Sequence, residues 1–297
     1  MSVDVALVTC AKLPELDPDD RPLAAALAGR GLDVAIARWD DPDFDWGAAR
    51  LVLLRSPWDY YQRFEEFMAW AERVAAATAL WNPLPALRWN LHKGYLAELA
   101  ARGAPVVPTR LLRRGGSFEL ARLLAAEGWA RAIVKPAVSA DSWETLVCDA
   151  AEPGPGQAHL DRLLPERDLL VQPFLPAVEA TGERCLVFLD GDYAHAVRKN
   201  ALTLGGRWAG LPEGVPVEAA PDELAAARAV LEAAGFEGLL YARVDLVRDD
   251  DGHPRLLELE LAEPTLFLAD HRAGLARLVA GLERRLRDAP AARRVRG

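Results

Sequence analysis

The chain has 297 residues, of which 51% are hydrophobic and 27% are charged, and its formal net charge is −9. This composition excludes a disordered chain, and the length suits two or three lobes rather than one simple core. No long run of lysine and arginine occurs before the C-terminal Arg293, Arg294 and Arg296. The sequence therefore argues against a nucleic-acid partner or an anionic membrane surface, since both demand clustered basic charge.

The three cysteines, Cys10, Cys148 and Cys185, have no paired spacing. They predict neither a zinc site nor a disulfide framework, and they favour a reducing compartment. The N-terminus lacks the basic start and long apolar run of a signal peptide, and no stretch is long enough to span a bilayer. We therefore expect a cytoplasmic protein with no membrane partner.

The first part of the chain alternates strand and helix patterns. Its predicted elements are the strands Val3–Thr9, Val34–Trp39 and Leu51–Arg55 and the helices Pro22–Arg30 and Tyr61–Ala77. This alternation is typical of a small parallel α/β lobe, which we assign to residues 1–92.

Two further lobes are predicted, at residues 93–170 and 171–290, followed by a tail at 291–297. The elements of the second lobe are the helices Asn90–Arg102 and Ser117–Glu127, with Ser117 as N-cap, the strands Val106–Arg113, Ala132–Pro136 and Thr145–Cys148, and a turn or boundary at Glu152–Gln157. Those of the third are the strands Leu169–Phe174, Cys185–Leu189, Tyr193–Arg198, Leu239–Val247 and Leu256–Leu261, a glycine-rich loop at Leu202–Gly214, and the helices Pro221–Ala234 and His271–Asp288.

Charged residues alternate with apolar ones along the last two strands, which form a predicted hairpin. Symmetry about Asp251-Gly252 gives a register with these opposed pairs: Asp245 with Glu258, Arg243 with Glu260, Val244 with Leu259 and Leu246 with Leu257. Directly opposed side chains lie about 5 Å apart, where like charges are destabilising. A hard divalent cation such as Mg²⁺ would relieve the crowding of three carboxylates, whereas the alternative is a solvated polar face.

Two lysines are notable for their context. Lys135 ends an apolar strand, where its charge could contact a phosphate, and Lys93 opens a helix. The alternative for both is an ordinary surface lysine that extends its ammonium group into solvent.

Taken in chain order, these segments resemble the ATP-grasp superfamily over roughly residues 90–267. The segments are Asn90-Leu-His-Lys93, Val107-Pro-Thr109, Ile133-Val-Lys-Pro136, Leu170-Val-Gln-Pro-Phe-Leu175, Gly182-Glu183, His195-Ala-Val-Arg-Lys199, Ala242-Arg-Val-Asp245 and Leu257-Glu-Leu-Glu260 with Glu263-Pro264. The resemblance implies an α/β fold in which a small N-terminal lobe precedes two lobes that clasp ATP. It also implies ATP and one or two Mg²⁺ ions as cofactors.

The resemblance assigns roles to individual residues. It implies that Lys93 and Lys135 contact ATP phosphates, that Gln172, Pro173, Phe174 and Leu175 line the adenine pocket, and that Glu183, or less favourably Glu179, holds the ribose. Asp245, Glu258 and Glu260 would bind Mg²⁺, while Arg243, helped by Arg198, would steady an acyl phosphate.

Three positions depart from the family pattern. Glu260 stands where many members have asparagine, which adds a negative charge to the metal site. The loop at residues 137–145 contains none of the glycines that usually close over the phosphates. Cys185 follows Arg184 where relatives such as glutathione synthetase have an arginine one position later.

Within the superfamily, the segments Arg55-Ser-Pro-Trp-Asp-Tyr60 and Glu258-Leu-Glu-Leu-Ala-Glu-Pro264 are most similar to the O-ureido-serine cyclo-ligases of cycloserine biosynthesis. Arg55 is predicted at the C-terminal end of a parallel strand, where ligands collect. Arg55, Trp58 and Asp59 are therefore candidate substrate contacts. The alternative is a structural turn anchored by the tryptophan.

The resemblance implies an enzyme that forms an acyl phosphate from a carboxylate and couples it to an amine, releasing ADP and phosphate. The implied partner is a small amino-acid-like molecule, joined either to a second molecule or within itself. The alternatives are a kinase that phosphorylates a small molecule and a non-catalytic nucleotide-binding protein. The closing helix and tail fit either a homodimer contact or a frayed end.

Overall fold

The computed structural model describes residues 3–140, 142–199 and 214–288. Three sheets follow one another along the chain, which confirms the α/β class. The predicted loop at Leu202–Gly214 lies outside the described residues except for Gly214, and the tail at 291–297 lies outside them entirely.

The first sheet is parallel, as predicted. Its elements are β1 Val3–Thr9, α1 Arg21–Ala28, β2 Val34–Arg38, β3 Ala49–Ser56, α2 Phe64–Ala77 and β4 Ala79–Trp81, with strand order β2-β1-β3-β4. Only the three-residue β4 was not predicted. Helix α2 packs Phe67, Trp70 and Val74 onto β1 and β3, because these residues recur at helical spacing.

Two short helices, α3 Leu84–Asn90 and α4 Tyr95–Ala101, replace the predicted single helix Asn90–Arg102. The chain turns between them because Lys93 donates its backbone N–H to the carbonyl of Ala137 at 2.7 Å rather than continuing the first helix. This turn carries Lys93 into the cleft described below.

The second sheet is antiparallel. Its elements are β5 Arg110–Leu112, α5 Leu120–Glu127, β6 Arg131–Pro136, β7 Leu146–Asp149, α6 Gly154–Leu163 and β8 Leu169–Pro173, with strand order β5-β8-β6-β7. The predictions for Ser117 and for Glu152–Gln157 were wrong. Gln157 belongs to α6, and its side chain accepts the backbone N–H of Leu120, so it takes the place of Ser117 at the start of α5.

The third sheet holds the predicted carboxylates. Its elements are α7 Ala177–Thr181, β9 Glu183–Leu189, β10 Asp192–Lys199, β11 Gly214–Val217, α8 Pro221–Ala234, β12 Tyr241–Arg248, β13 Pro254–Glu260 and α9 Arg272–Asp288, with strand order β11-β10-β9-β12-β13. All described pairings in this sheet are antiparallel.

The predicted register of the β12–β13 hairpin is confirmed at its functional end. Asp245 pairs with Glu258 and Arg243 with Glu260, but a bulge after Asp245 pairs Leu246 with Leu256 instead of Leu257. The bulge places Leu256 in the core beside Leu246 and leaves Leu257 half-buried. The bulge therefore keeps the apolar face of the hairpin buried without changing the pairing of the charged residues.

The lobes share hydrophobic cores rather than meeting at a thin interface. Leu278 and Leu282 of α9 pack with Val5 and Leu51 of the first sheet and Val187 of the third. Residues of α3 and α4 likewise pack on β12 and β13. The domain limits at residues 92 and 170 remain predictions, and β8 runs across the second of them.

Candidate active site

Arg243 is the centre of a charge cluster on β12 and β13. Its Nε and Nη2 donate to the two carboxylate oxygens of Asp245, each at 2.9 Å, and Nη2 also bonds to Glu260. Its Nη1 donates to the carbonyl of Thr265 at 3.0 Å. The guanidinium group is thus fixed on every side, as an arginine that stabilises a developing charge must be.

Lys199 adds a second cation to this cluster. Its Nζ lies 2.7 Å from Glu183 and 3.5 Å from Asp245. Sequence reasoning selected its neighbour Arg198 instead. Because strand residues alternate, Arg198 shares a face with Arg184 and Leu246, whereas Lys199 and Glu183 share the face of Arg243 and Asp245. The structure therefore does not bring Arg198 to the cluster.

The carboxylates of the cluster differ in their pKa. Burial raises the pKa of Asp245, but Arg243 and Lys199 oppose it and bring the value to about 2. Burial, opposed by Arg243 and reinforced by Asp245 and Glu258, raises the pKa of Glu260 to about 8. Of these two carboxyl groups, Glu260 is thus the one that takes up a proton more readily.

Lys93 and Lys135 reach the same cleft from the second lobe. Nζ of Lys93 donates to the carbonyl of Ser139 at 2.6 Å and lies 3.1 Å from Glu258. Lys135 is buried, makes no hydrogen bond or ion pair with another described side chain, and burial lowers its pKa despite the attraction of Glu258. A buried ammonium group without a partner suits an anionic ligand.

The loop after Lys135 folds without glycine. Ser142 and Glu144 adopt left-handed φ angles of 54° each, a region that glycine usually fills. Glu144 is held there by Arg162 of α6, and Ser139 donates to the carbonyl of Pro136. Asp141 lies outside the described residues.

The predicted adenine-binding segment connects the second and third lobes. Gln172 donates to Thr109 at 2.9 Å, and its Oε1 is buried without a partner among the described residues. Phe174 donates its N–H to the carbonyl of Arg131, whose guanidinium lies 3.9 Å from the Phe174 ring centre. Pro173 is half-buried and Leu175 is buried, whereas Glu179 is exposed on α7, away from the ion pair of Glu183.

Arg55 and Asp59 make structural contacts, which fit the alternative of a structural turn, and their role as substrate contacts stays an untested prediction. Arg55 is fully buried, pairs with Asp20 at 2.7 Å and donates to the carbonyl of Pro264 at 2.8 Å. Asp59 accepts the indole N–H of Trp39 at 2.7 Å. Trp58 donates its indole N–H to the carbonyl of Glu263 at 3.0 Å, so this segment is a turn anchored on the third lobe.

The three predicted metal ligands have the oxygen atoms that a hard divalent cation prefers, but they are not gathered around one point in this structure. Asp245, Glu258 and Glu260 supply only carboxylate oxygens, which are the ligands that a hard divalent cation prefers. In the part of the chain that the structure describes, however, Asp245 groups within 4.8 Å with Glu183 and Cys185 rather than with the two glutamates. Protein cations now occupy these carboxylates: Arg243 binds Asp245 and Glu260, and Lys93 binds Glu258.

Sequence comparison finds close relatives. A family model described as the N-terminal domain of the D-cycloserine synthetase DcsG matches residues 5–82. The cycloserine biosynthesis protein DcsG of Streptomyces lavendulae is 37% identical over 302 residues, covering 95% of this chain and 99% of that protein. The crystal structure of D-cycloserine synthetase DcsG superposes with a TM-score of 0.85 at 36% identity, covering 95% of this chain and 99% of that one.

More distant structures share the fold alone. An ATP-grasp RimK domain protein from Sphaerobacter thermophilus has a TM-score of 0.68 at 19% identity, covering 94% of this chain and 99% of its own. The ATP-grasp ligase PsnB, in complex with a minimal precursor, Mg and ADP, has a TM-score of 0.61 at 18% identity, covering 95% and 99%.

The fold and the cationic cleft define an ATP-grasp ligase, an ADP-forming enzyme that joins a carboxylate to an amine. This confirms the predicted fold and reaction, and neither the kinase nor the non-catalytic alternative is favoured. The chain belongs to the family of the D-cycloserine synthetase DcsG. ATP and Mg²⁺ are the cofactors that the fold implies. Among the described residues, no helix has the length and hydropathy to cross a membrane.

Proposed function

We propose that the enzyme closes a ring within a small amino acid derivative, as the name of its relative, D-cycloserine synthetase, indicates for that protein. The observation that carries the proposal is the cleft between the second and third lobes. There the cations Lys93, Lys135, Lys199 and Arg243 surround Glu183, Asp245, Glu258 and Glu260. The four cations of such a site can bind a nucleoside triphosphate and a substrate carboxylate side by side.

We assign ATP contacts to the residues on both walls of this cleft. Lys93 and Lys135 neutralise the phosphates, and Lys135 has no competing partner among the described residues. Gln172 to Leu175 line the adenine through backbone groups. Glu183, held by Lys199, takes the ribose hydroxyls.

The same cleft would hold one or two Mg²⁺ ions on Asp245, Glu258 and Glu260. When bound, the metal offsets phosphate charge during transfer. Lys93, which binds Glu258 here, would then be free to contact the phosphates, whereas Arg243 stays fixed by Asp245 and the carbonyl of Thr265. Arg243 steadies the charge of the acyl phosphate and of its breakdown.

The reaction proceeds in two displacements. A carboxylate oxygen of the substrate attacks the γ-phosphorus of ATP, and ADP leaves. The amine nitrogen of the same molecule then attacks the acyl carbon, the C–N bond forms, the C–O bond to phosphate breaks, and the leaving phosphate takes up the proton that the nitrogen loses. The cleft supplies orientation and charge stabilisation, and no protein nucleophile is required.

The experiment measures ADP and phosphate release with Mg·ATP and a panel of amino acids that includes O-ureido-serine, each with and without a second amine. A cyclic product of one substrate, identified by mass, is the expected result. An intermolecular amide would overturn ring closure but keep the ligase, and a stable phosphate ester would favour a kinase. Omission of Mg²⁺ should abolish release, and Mg²⁺ titration counts the ions.

We further propose that the enzyme works in the cytoplasm, where ATP is supplied and where its buried, unpaired cysteines stay reduced. A homodimer remains a prediction from the sequence. Sedimentation equilibrium of the full chain tests it, and a mass of 32.4 kDa would contradict it.

A further inference from the structure

The second-lobe loop at residues 137–145 holds one of the two lysines that we assign to the ATP phosphates. The carbonyl of Ala137 accepts the backbone N–H of Lys93 at 2.7 Å, and the carbonyl of Ser139 accepts its Nζ at 2.6 Å. Ser139 is itself buried. The position of this loop therefore sets the position of the Lys93 ammonium group in the cleft.

The first lobe holds the middle of the same loop. The rings of Tyr61, in the first lobe, and Trp143, in the loop, have centres 5.1 Å apart and planes inclined at 38°. Val138 and Ala140 pack against the core of the first lobe. Within the second lobe, the guanidinium of Arg167 lies 4.8 Å from the ring centre of Trp143. Trp143 thus joins the loop both to its own lobe and to the first.

The turn that leads to Tyr61 is anchored to the third lobe. Trp58 donates its indole N–H to the carbonyl of Glu263 at 3.0 Å, and Arg55 donates to the next carbonyl, that of Pro264, at 2.8 Å. Both carbonyls lie just after β13. The first lobe therefore connects the loop on one wall of the cleft to the backbone on the other wall.

We propose that Tyr61 and Trp143 are positioning residues whose contact keeps the 137–145 loop closed against Lys93 while ATP and the acyl phosphate occupy the cleft. A loop rich in glycine can close through the freedom of its own backbone. This loop has no glycine, so its position depends on side-chain contacts.

The consequence of a loosened loop follows from the chemistry of the acyl phosphate, so this inference rests on the proposed function. Closure of an active site keeps water from a reactive intermediate. If water enters, its oxygen attacks the acyl carbon, the C–O bond to phosphate breaks, and the substrate carboxylate is regenerated. ADP and phosphate are then released without a cyclic product.

The test compares Tyr61→Ala with the wild-type enzyme in two measurements. One is the ratio of ADP released to product formed, and the other is the equilibrium affinity for a non-hydrolysable ATP analogue. We expect the ratio to rise and the affinity to fall, each about fivefold, which is the effect of losing one aromatic contact. Tyr61→Phe keeps the ring and should restore both to the wild-type values.

Phe44→Ala is the matched control. Phe44 is also half-buried, packs against the same first-lobe core as Tyr61, and has its ring centre 4.6 Å from that of Trp46 in its own lobe. Its loss removes an aromatic contact of the same kind without touching the 137–145 loop. Both measurements should therefore stay at the wild-type values.

Trp143→Ala tests whether the two rings act through one contact. It should lower the nucleotide affinity at least as much as Tyr61→Ala does, and the double variant should be no worse than Trp143→Ala, because either substitution breaks the same contact. Losses that add in the double variant, or a Tyr61→Ala enzyme that matches Phe44→Ala in both measurements, would overturn the inference.

The proposed function is decided separately, by the product that the wild type forms. If that product is an intermolecular amide, the ratio of ADP to amide replaces the ratio to cyclic product. If the wild type turns over no panel member, ring closure fails, and nucleotide affinity alone decides the inference. An affinity that is unchanged in Tyr61→Ala then contradicts it, and a loss that Tyr61→Phe restores supports it.

Discussion

Lys199 and Arg198 are neighbours in β10 whose side chains lie on opposite faces of the sheet, so they form a matched pair for substitution. Lys199→Met removes the cation between Glu183 and Asp245, which leaves Glu183 without its ion-pair partner and Asp245 with Arg243 alone. We expect kcat/KM for ATP to fall about 100-fold, which corresponds to about 2.7 kcal/mol, because the uncompensated Glu183 disturbs the charge balance of the cleft. Steady-state ADP release measures this.

Arg198→Met provides the comparison within the same strand. Because Arg198 shares its face with Arg184 and not with Arg243, its removal should change kcat/KM less than threefold. A larger loss for Arg198→Met than for Lys199→Met would restore the original prediction that Arg198 assists Arg243.

At the residue scale, the sequence predicted a contact when the two residues lie close together along the chain or on one hairpin. Arg243, Asp245, Glu258 and Glu260 lie on one hairpin, so strand alternation alone brings them together. The partners of Lys199 come from two other strands, β9 and β12, so the pattern of residues along β10 alone does not bring them together. The sequence also does not show that Arg55 is buried. An arginine at the end of a parallel strand predicts a ligand contact instead.

On the outer edge of β13, the backbone of residues 105–107 pairs with Leu256, and side chains complete the edge further along, at Leu259 and Leu261. Asn90 donates to the carbonyl of Leu259 and accepts the N–H of Leu261, both at 2.7 Å. The hydroxyl of Tyr95 donates to the same Leu259 carbonyl at 2.8 Å. These contacts fix the strand that carries Glu258 and Glu260.

Asn90→Asp should therefore destabilise the enzyme, because aspartate cannot donate to Leu259 and places a charge in a buried position. We expect a loss of about 2 kcal/mol in the free energy of unfolding, measured by urea denaturation. An unchanged denaturation midpoint would show that the edge of β13 is held without Asn90.

A second contact between elements links β10 to the start of α9. The rings of His195 and His271 stack with centres 3.9 Å apart, Nε2 of His195 bonds to the carbonyl of Leu266, and Nδ1 is buried without a described partner. Burial and the nearby His271 lower the pKa of His195 to about 4 from its ordinary 6.5.

Because the folded pKa is lowered, the unfolded chain takes up a proton first as the pH falls. Stability from neutral His195 is thus complete above pH 6.5 and is lost progressively toward pH 4. His195→Gln keeps a donor for Leu266 but does not titrate. As the pH falls from 6.5 toward 4, the free energy of unfolding should therefore decrease more for the wild type than for His195→Gln. A difference independent of pH over this range would contradict the assignment.

At the element scale, strands with apolar runs were predictable, whereas irregular features were not. The bulge at Leu257 of β13 depends on the packing of Leu256 against Leu246, which the pattern of alternating residues does not specify. Helix α6 begins with Gly154-Pro-Gly, a sequence typical of a turn. It forms because Leu160 and Leu163 pack with Leu120 and Leu124 of α5.

Across the whole molecule, Arg55 connects the first lobe to the substrate side of the third. It pairs with Asp20, whose pKa burial raises to about 6 against the attraction of Arg55, and it binds the carbonyl of Pro264. Its guanidinium also lies 5.2 Å from the ring centre of Tyr241. One buried side chain thus couples the stability of the first lobe to the position of the backbone at residues 261–266, which follow β13.

Arg55 has two roles, one in stability through Asp20 and one in holding the backbone after β13 through Pro264. Arg55→Met, alone and combined with a substitution of Asp20, should separate them. The single variant leaves Asp20 buried without its cation, so we expect the free energy of unfolding to fall by about 3–5 kcal/mol in guanidinium denaturation. Asp20→Asn in the same chain removes the uncompensated charge and should recover about half of that loss. Turnover should stay low in both variants, because neither restores the donor to Pro264 that holds the 261–266 segment. Recovery of turnover together with stability would instead show that Arg55 acts on the site only through the overall stability of the fold.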